Sequence, residues 1–350
     1  MHAGQRSQAT RGSGSTMCIT KTSQGGYPMK TITIGLLGFG TVGGGAYDAL
    51  KMVEDKTAEK LGTELRFKKI LVGSLGKKRR DDIDPSVFTT DADEILNDPE
   101  IDIVAEAMGG IEPAASYMLK AMQNGKHVVT ANKAAVAHNY EALTKAAEEN
   151  GVLFRMEACV AGGIPVLSAI TQALQANRFE EILGILNGTT NYIMTQMAEN
   201  GLTYDEVLKD AQAKGFAEAD PTDDVEGIDA ANKLSILMAL AFGKYVHPAD
   251  IPREGITGVT MDDIENAKAE GKTIKLIASA VDNGGELEYS VRPTAIPNDH
   301  PLAAVSNEYN AVFVKGSAVG ELMFRGKGAG ALPTGSALGG DILNIIALMR

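Results

Sequence analysis

The chain has no tryptophan and, among 350 residues, only two cysteines and five histidines. Cys18 and Cys159 cannot make a disulfide framework or a cysteine zinc site. His2, His127, His138, His247 and His300 show no i, i+4 spacing, which argues against a transition-metal centre. Positive charge is short as well: 33 Lys and Arg face 45 Asp and Glu, a net charge of −12. That balance argues against nucleic acid or an anionic membrane as the main partner. No uninterrupted apolar run reaches the roughly 18 residues that read as a membrane span, and Ser235 to Phe242 is far too short. What is present is an ordinary globular mixture, 44% hydrophobic and 22% charged, long enough for about two domains. The expectation is a soluble, cytoplasmic protein acting on a small molecule.

Residues 1–28 stand apart. They carry Arg6, Arg11 and Lys21, no acid, and no apolar periodicity. A signal peptide needs an apolar centre, which is missing. The reading is a disordered extension, with Met17 and Met29 as alternative starts; a transit peptide is the alternative.

From Thr31 onward strands and helices alternate. Thr31–Leu37, Phe67–Val72, Ile101–Ala105, Lys126–Val129 and Val152–Arg155 read as strands. Val42–Val53, Pro113–Gln123 and Tyr140–Glu149 read as helices. This alternation predicts a Rossmann-type α/β domain, a doubly wound parallel sheet, over 29–158. The pattern then changes. Ile182–Leu186, Lys272–Ala280, Leu287–Ala295 and Ala311–Phe324 read as strands, and Leu202–Lys214, Val225–Phe242 and Met261–Glu270 as helices. A second α+β domain, for substrate binding and dimerisation, is expected over 159–325. Residues 326–350 are expected to return to the first domain through a helix over Gly335–Arg350.

Gly38-Phe-Gly40-Thr-Val-Gly43 fits G-x-G-x-x-G between a predicted strand and a predicted helix. Gly38 permits the tight turn, Gly40 lets backbone approach a pyrophosphate, and Gly43 lets helix pack on strand. The plain alternative is a structural glycine turn. An NAD site usually places an acid at the end of the second strand. Here Val72-Gly-Ser-Leu-Gly-Lys77-Lys-Arg-Arg80 offers none, and its cations favour a 2′-phosphate, hence NADP, with NAD possible. A solvated basic loop is the other reading of that run.

Two lysines stand out. Lys133 follows a parallel strand, at the edge where open α/β sheets bind ligands. Lys233 follows an acid-rich stretch holding Glu218, Asp220, Asp223, Asp224, Glu226 and Asp229. Asp229 and Lys233 are one helical turn apart, and Glu226 could share their face. Asp224 lies near the helix start, where a carboxylate is favoured. Such a cluster suits a substrate bearing an ammonium group, and it can tune the lysine. An exposed acidic helix start is the alternative. Against it, the same face continues to Ile236, Leu237 and Leu240, so the charges are expected to be partly buried.

Beyond the glycine turn, the chain carries Thr130-Ala-Asn-Lys-Ala134, Glu157-Ala-Cys-Val-Ala-Gly-Gly-Ile-Pro165, Leu186-Asn-Gly-Thr-Thr-Asn-Tyr-Ile193 and Gly326-Lys-Gly-Ala-Gly-Ala-Leu-Pro-Thr334. In this order the segments resemble homoserine dehydrogenase over nearly all of 29–350. The resemblance implies NAD(P)-linked interconversion of L-aspartate 4-semialdehyde and L-homoserine, on the route to threonine, methionine and isoleucine. It implies Lys233 as proton exchanger, Lys133 as its partner, and Glu218, Asp229 and Asp224 as substrate ligands. It implies Phe39, Thr41, Val42, Thr130, Lys133 and Gly330 at the dinucleotide, beside Gly38, Gly40 and Gly43. It further implies a monovalent cation, sodium, on the main-chain carbonyls of Glu157, Val160, Gly162 and Ile164, and a homodimer.

Three departures stand against the family pattern. Gly73-Ser74 replaces a common Arg-Asp, the tail has no counterpart, and no residues for a threonine-sensing domain follow, so insensitivity to threonine is expected. Two rivals remain. An aspartate-semialdehyde dehydrogenase needs a nucleophilic cysteine, for which only Cys159 is placed. A silent NAD(P) sensor would not need Lys133, Glu218, Asp229 and Lys233 together.

Overall fold

Short apolar runs broken by glycine build the first layer. In the computed structural model, which describes residues 30–77 and 79–349, they form six parallel strands. These are β1 (Lys30–Leu37), β2 (Thr63–Leu71), β3 (Phe88–Thr89), β4 (Ile103–Glu106), β5 (His127–Thr130) and β6 (Phe154–Arg155). Their order is β3-β2-β1-β4-β5-β6. The chain winds outward in both directions from β1 and β4, so a crevice opens at their carboxyl ends. The expected extension over 1–28 lies outside the described residues, as do Cys18, Lys78 and Arg350.

Helices α1 (Thr41–Lys51), α2 (Glu54–Leu61), α3 (Ala114–Gln123) and α4 (Lys133–Glu149) connect these strands. Two differences from the sequence reading concern this layer. The edge strand β3 was not foreseen, because two residues carry no periodicity. Helix α4 begins at Lys133 rather than Tyr140, because Asn132 caps it by accepting a hydrogen bond from Ala135 N at 3.0 Å. A non-helical Asn139 then breaks its periodicity.

The second layer is a five-stranded antiparallel sheet, β11-β10-β7-β8-β9. It comprises β7 (Phe179–Ile185), β8 (Lys272–Asp282), β9 (Leu287–Pro297), β10 (Tyr309–Gly316) and β11 (Gly320–Lys327). Residues alternate between its faces. Leu276, Ala278 and Ala280 of β8 join the main core, while Ile277 joins a smaller cluster with Leu302, Val305 and Phe313. The stretch Ala311–Phe324, read as one strand, is a hairpin. Helices α5 (Gly188–Asn200), α6 (Tyr204–Ala213), α7 (Ile228–Phe242) and α8 (Met261–Ala269) complete this part. Helix α5 escaped the sequence reading. It opens on the poor helix formers Gly188, Thr189 and Thr190, and nearly every residue through Met197 is buried, which erases an amphipathic stripe.

The last helix, α9 (Ala331–Leu348), starts earlier than Gly335. Its length and apolar composition would let it span a bilayer, but its Leu338, Ile342, Ile345 and Ile346 pack with Ala46 and Leu50 of α1 and with Ile32, Ile34 and Leu36 of β1. The two helices cross where Gly45 and Gly335 face each other. A Cβ on either would strike main chain of the other helix. This close crossing brings the starts of α1 and α9 side by side.

Candidate active site

The dinucleotide end of the crevice is built by small residues. Gly38 takes φ +94, and a Cβ there would meet Ala107 O at 2.6 Å. A Cβ on Gly43 would collide with Gly38 O. A Cβ on Gly40 would meet nothing within 4 Å, so that side of the turn is open to a ligand. The first N–H groups of α1 have no acceptor within the helix, which leaves them available to an anion. Gly330, at φ +122, leads α9 into a cavity of about 550 Å³ that Thr41 and Val42 at the start of α1 also line, with Thr334. Two helix starts thus add their positive ends at one place.

A second cleft of about 500 Å³ runs past Gly38, Phe39 and Gly40 to Val72, Gly73, Lys77 and Arg79. The basic run divides here. Arg80 is tied to Asp48 and Asp82 and lies over the Tyr47 ring. Lys77 and Arg79 line the cleft, and Arg79 sits over Phe88 at 5.1 Å.

The chemistry gathers at the other end of the larger cavity. Asp229 and Lys233 stand on one face of α7, 5% and 7% exposed. Lys233 Nζ donates to Asp229 Oδ2 at 2.6 Å and to Leu186 O at 2.6 Å. Lys133 Nζ reaches the other oxygen of Asp229 from α4, at 3.3 Å. One carboxylate therefore joins two lysines from the two layers. Asn187 completes the group: its amide donates to Asp229 Oδ2 at 2.9 Å and to Asp224 Oδ1 at 2.6 Å. Its Oδ1 accepts from Thr190 N at 2.8 Å, so the start of α5 orients it.

The two lysines are driven in opposite directions. Burial lowers the Lys233 pKa below the ordinary 10.5, opposed by Asp229 and assisted by the Lys133 charge. The Asp229 charge raises the Lys133 pKa. Asp229 stays ionised despite burial, because both lysines face it. Burial raises the Asp224 pKa.

A family profile described as homoserine dehydrogenase matches residues 165–343, and one described as the homoserine dehydrogenase NAD-binding domain matches 38–157. The homoserine dehydrogenase of Bacillus subtilis is 46% identical over 322 residues, 92% of this chain and 74% of the relative. The chain belongs to the homoserine dehydrogenase family. The crystal structure of a homoserine dehydrogenase from Thiobacillus denitrificans superposes with a TM-score of 0.88 at 44% identity, covering 92% of this chain and 74% of the other. A hyperthermophilic archaeal homoserine dehydrogenase in complex with NADPH gives 0.74 at 26% identity, covering 91% and 98%. Membership of the homoserine dehydrogenase family makes the chain an oxidoreductase acting on a CH–OH group, with an NAD-binding domain.

Not every residue singled out in the sequence meets the cavity of this dehydrogenase. Glu218 is exposed, one residue beyond the lining pair Gly215 and Phe216 and their neighbour Ala217, and its carboxylate is not part of the wall. Glu226 is not among the groups that meet Lys233; it accepts from Thr257 Oγ1 at 3.2 Å. Thr130 is fully buried beneath the cleft rather than lining it. Cys159 lines the cavity, but burial raises its thiol pKa well above the ordinary value, the opposite of an activated nucleophile. The loop Glu157–Ile164 turns through Ala161 and Gly162, both at positive φ. Its Glu157 and Ile164 carbonyls accept from Val160 N and Val166 N, leaving each a free lone pair. Among the described residues, no cluster of His, Cys, Asp and Glu forms a transition-metal site.

Sequence reasoning missed Asn187 as the bridge between the two acids. In the sequence it stands inside a longer motif, and an asparagine that caps a helix gives no separate signal. It also missed Asn310, whose Oδ1 is buried without a protein partner in the cavity wall.

Proposed function

We propose that the chain interconverts L-homoserine and L-aspartate 4-semialdehyde, with Lys233 exchanging the proton on the substrate oxygen. The observation that carries this reading is one buried carboxylate, Asp229, shared by Lys233 and Lys133 in the cavity. Bound nicotinamide cofactor supplies or accepts the hydride. During reduction, negative charge grows on the carbonyl oxygen. Lys133, held cationic by Asp229, opposes that charge, and the Lys233 ammonium donates the proton. During oxidation, neutral Lys233 accepts the hydroxyl proton; its lowered pKa enlarges that neutral fraction. Asp229 and Asp224 suit the substrate ammonium end. Glu218 belongs to this set if the exposed Phe216–Asp220 loop folds inward on substrate.

NADP is the preferred cofactor in this reading, with NAD as the alternative. Support comes from Lys77 and Arg79 in the cleft and from the lack of an acid at Val72–Ser74. Phe39, Thr41, Val42 and Gly330 hold the dinucleotide, with Thr130 supporting the floor. Sodium sits on the carbonyls of Glu157, Val160, Gly162 and Ile164, where it stiffens the loop between the layers. The chain works as a cytoplasmic homodimer in threonine, methionine and isoleucine biosynthesis.

The test is the Lys233→Met variant. NADPH binding, followed by cofactor fluorescence, should persist while semialdehyde reduction falls by about 1,000-fold. Near-normal turnover in that variant removes Lys233 from the proton role.

A further inference from the structure

We infer that Glu106 is a positioning residue for this reaction, tying the Met108–Gly110 loop to the Thr130–Lys133 turn and so setting where Lys133 stands. The inference rests on the function proposed above.

Glu106 ends β4, paired in register with Leu37 on one side and Thr130 on the other. These partners immediately precede the glycine turn and the Lys133 turn. Every earlier residue of β4 is apolar, and Glu106 itself is 0% exposed. Among the described residues no cation pairs with it. A buried carboxylate without a counter-ion is costly, and an apolar residue would pack there more cheaply. What the carboxylate has instead is three donors. Oε1 accepts from Met108 N at 2.7 Å and from Asn132 Nδ2 at 3.4 Å. Oε2 accepts from the Thr130 hydroxyl.

Met108 and Asn132 stand in walls of the crevice, and Thr130 is buried beneath it. Met108 borders the cleft that runs from the glycine turn to Lys77 and Arg79. The Asn132 amide also donates to Gly110 O at 2.8 Å, while its Oδ1 caps α4. Thr130 Oγ1 accepts from Asn132 N at 2.9 Å, closing the turn on itself. Lys133 is the first residue of the helix so capped, and its ammonium is the group that meets Asp229. The path from Glu106 to Asp229 therefore runs through hydrogen bonds and one helix start. A displaced turn would move Lys133 off Asp229, and misplacement of about 1 Å can cost about 100-fold in rate.

Two substitutions at Glu106 separate geometry from charge. In Glu106→Gln, the amide oxygen can still accept from Met108 and Asn132, and its nitrogen can donate to Thr130 Oγ1. We expect kcat and NADPH affinity within about threefold of the parent. Glu106→Leu loses all three bonds, so kcat should fall about 100-fold and NADPH affinity about tenfold, with homoserine KM nearly unchanged. A Leu variant that melts normally and keeps both values within about threefold overturns the proposal. So does a Gln variant as impaired as the Leu variant, since charge rather than positioning would then matter. If the Leu variant does not fold, Asn132→Ser serves: serine keeps the helix cap but drops the links to Glu106 and Gly110. Its kcat should fall about tenfold with an unchanged melting temperature, and an unchanged kcat overturns the proposal. NADPH affinity is read without homoserine. A parent that binds NADPH yet never oxidises homoserine therefore defeats the functional reading while leaving Glu106 tested.

Discussion

Asp229 and Lys233 lie one helical turn apart on α7, their Oδ2 and Nζ atoms 2.6 Å apart, both almost fully buried. An exposed pair at this spacing contributes only about 0.3–0.5 kcal/mol. Burial changes the meaning of the contact. It pushes Lys233 toward its neutral form, and Asp229, also facing Lys133, holds it back. The pair is a buried, mutually tuned contact rather than a surface one, as the proposed acid and base role requires.

The pH dependence follows with a definite sign. In the proposed reaction homoserine oxidation needs neutral Lys233, so kcat/KM should rise with pH and level off below lysine's ordinary 10.5. Asp229→Asn removes the charge that favours the ammonium, so the rising limb should move to lower pH. A limb that stays in place or moves up contradicts the assignment of that limb to Lys233. Rate against pH for both proteins decides it.

Asn187 bridges Asp229 and Asp224 by donating to both. Asn187→Ala should lower kcat/KM for homoserine by about 10–100-fold while leaving NADPH affinity unchanged, because two acids lose their common donor. Equal losses in both readouts would show a general collapse instead.

Lys77 and Arg79 line the cleft, whereas Arg80 is occupied by Asp48 and Asp82. Arg79→Ala, and more so the double variant with Lys77→Ala, should raise KM for NADP about tenfold and leave KM for NAD within about twofold. Arg80→Ala should show no such selectivity. Parallel kinetics with the two cofactors measure this.

Gly45 and Gly335 let α1 and α9 cross at backbone contact. Gly335→Leu should destabilise the protein by about 2–4 kcal/mol, because the new side chain meets main chain that cannot yield cheaply. Denaturant titration checks it. An unchanged midpoint would mean the helices separate freely.

Much of this architecture is legible in the residues. Thr31–Leu37 followed by Gly38, Gly40 and Gly43 encodes strand, turn and helix locally, and the structure keeps that order. The Asp229–Lys233 spacing, with Ile236 and Leu237 continuing the face, points to buried charge, and the charge is buried. Other features depend on contacts distant in sequence. Gly188–Asn200 is a helix because tertiary burial overrides weak propensity. Glu106 is one acid at a strand end, and its three donors arrive from other segments. Glu218 shows the reverse: an acid next to the site in sequence that is exposed and outside the cavity lining.

The most direct measurement mixes purified protein with L-homoserine and follows reduced-cofactor absorbance, NADP and NAD in parallel, in sodium and in potassium buffer. Turnover is expected with homoserine but not with serine or threonine, and faster with NADP. A folded protein that binds cofactor but oxidises homoserine with neither would contradict that expectation.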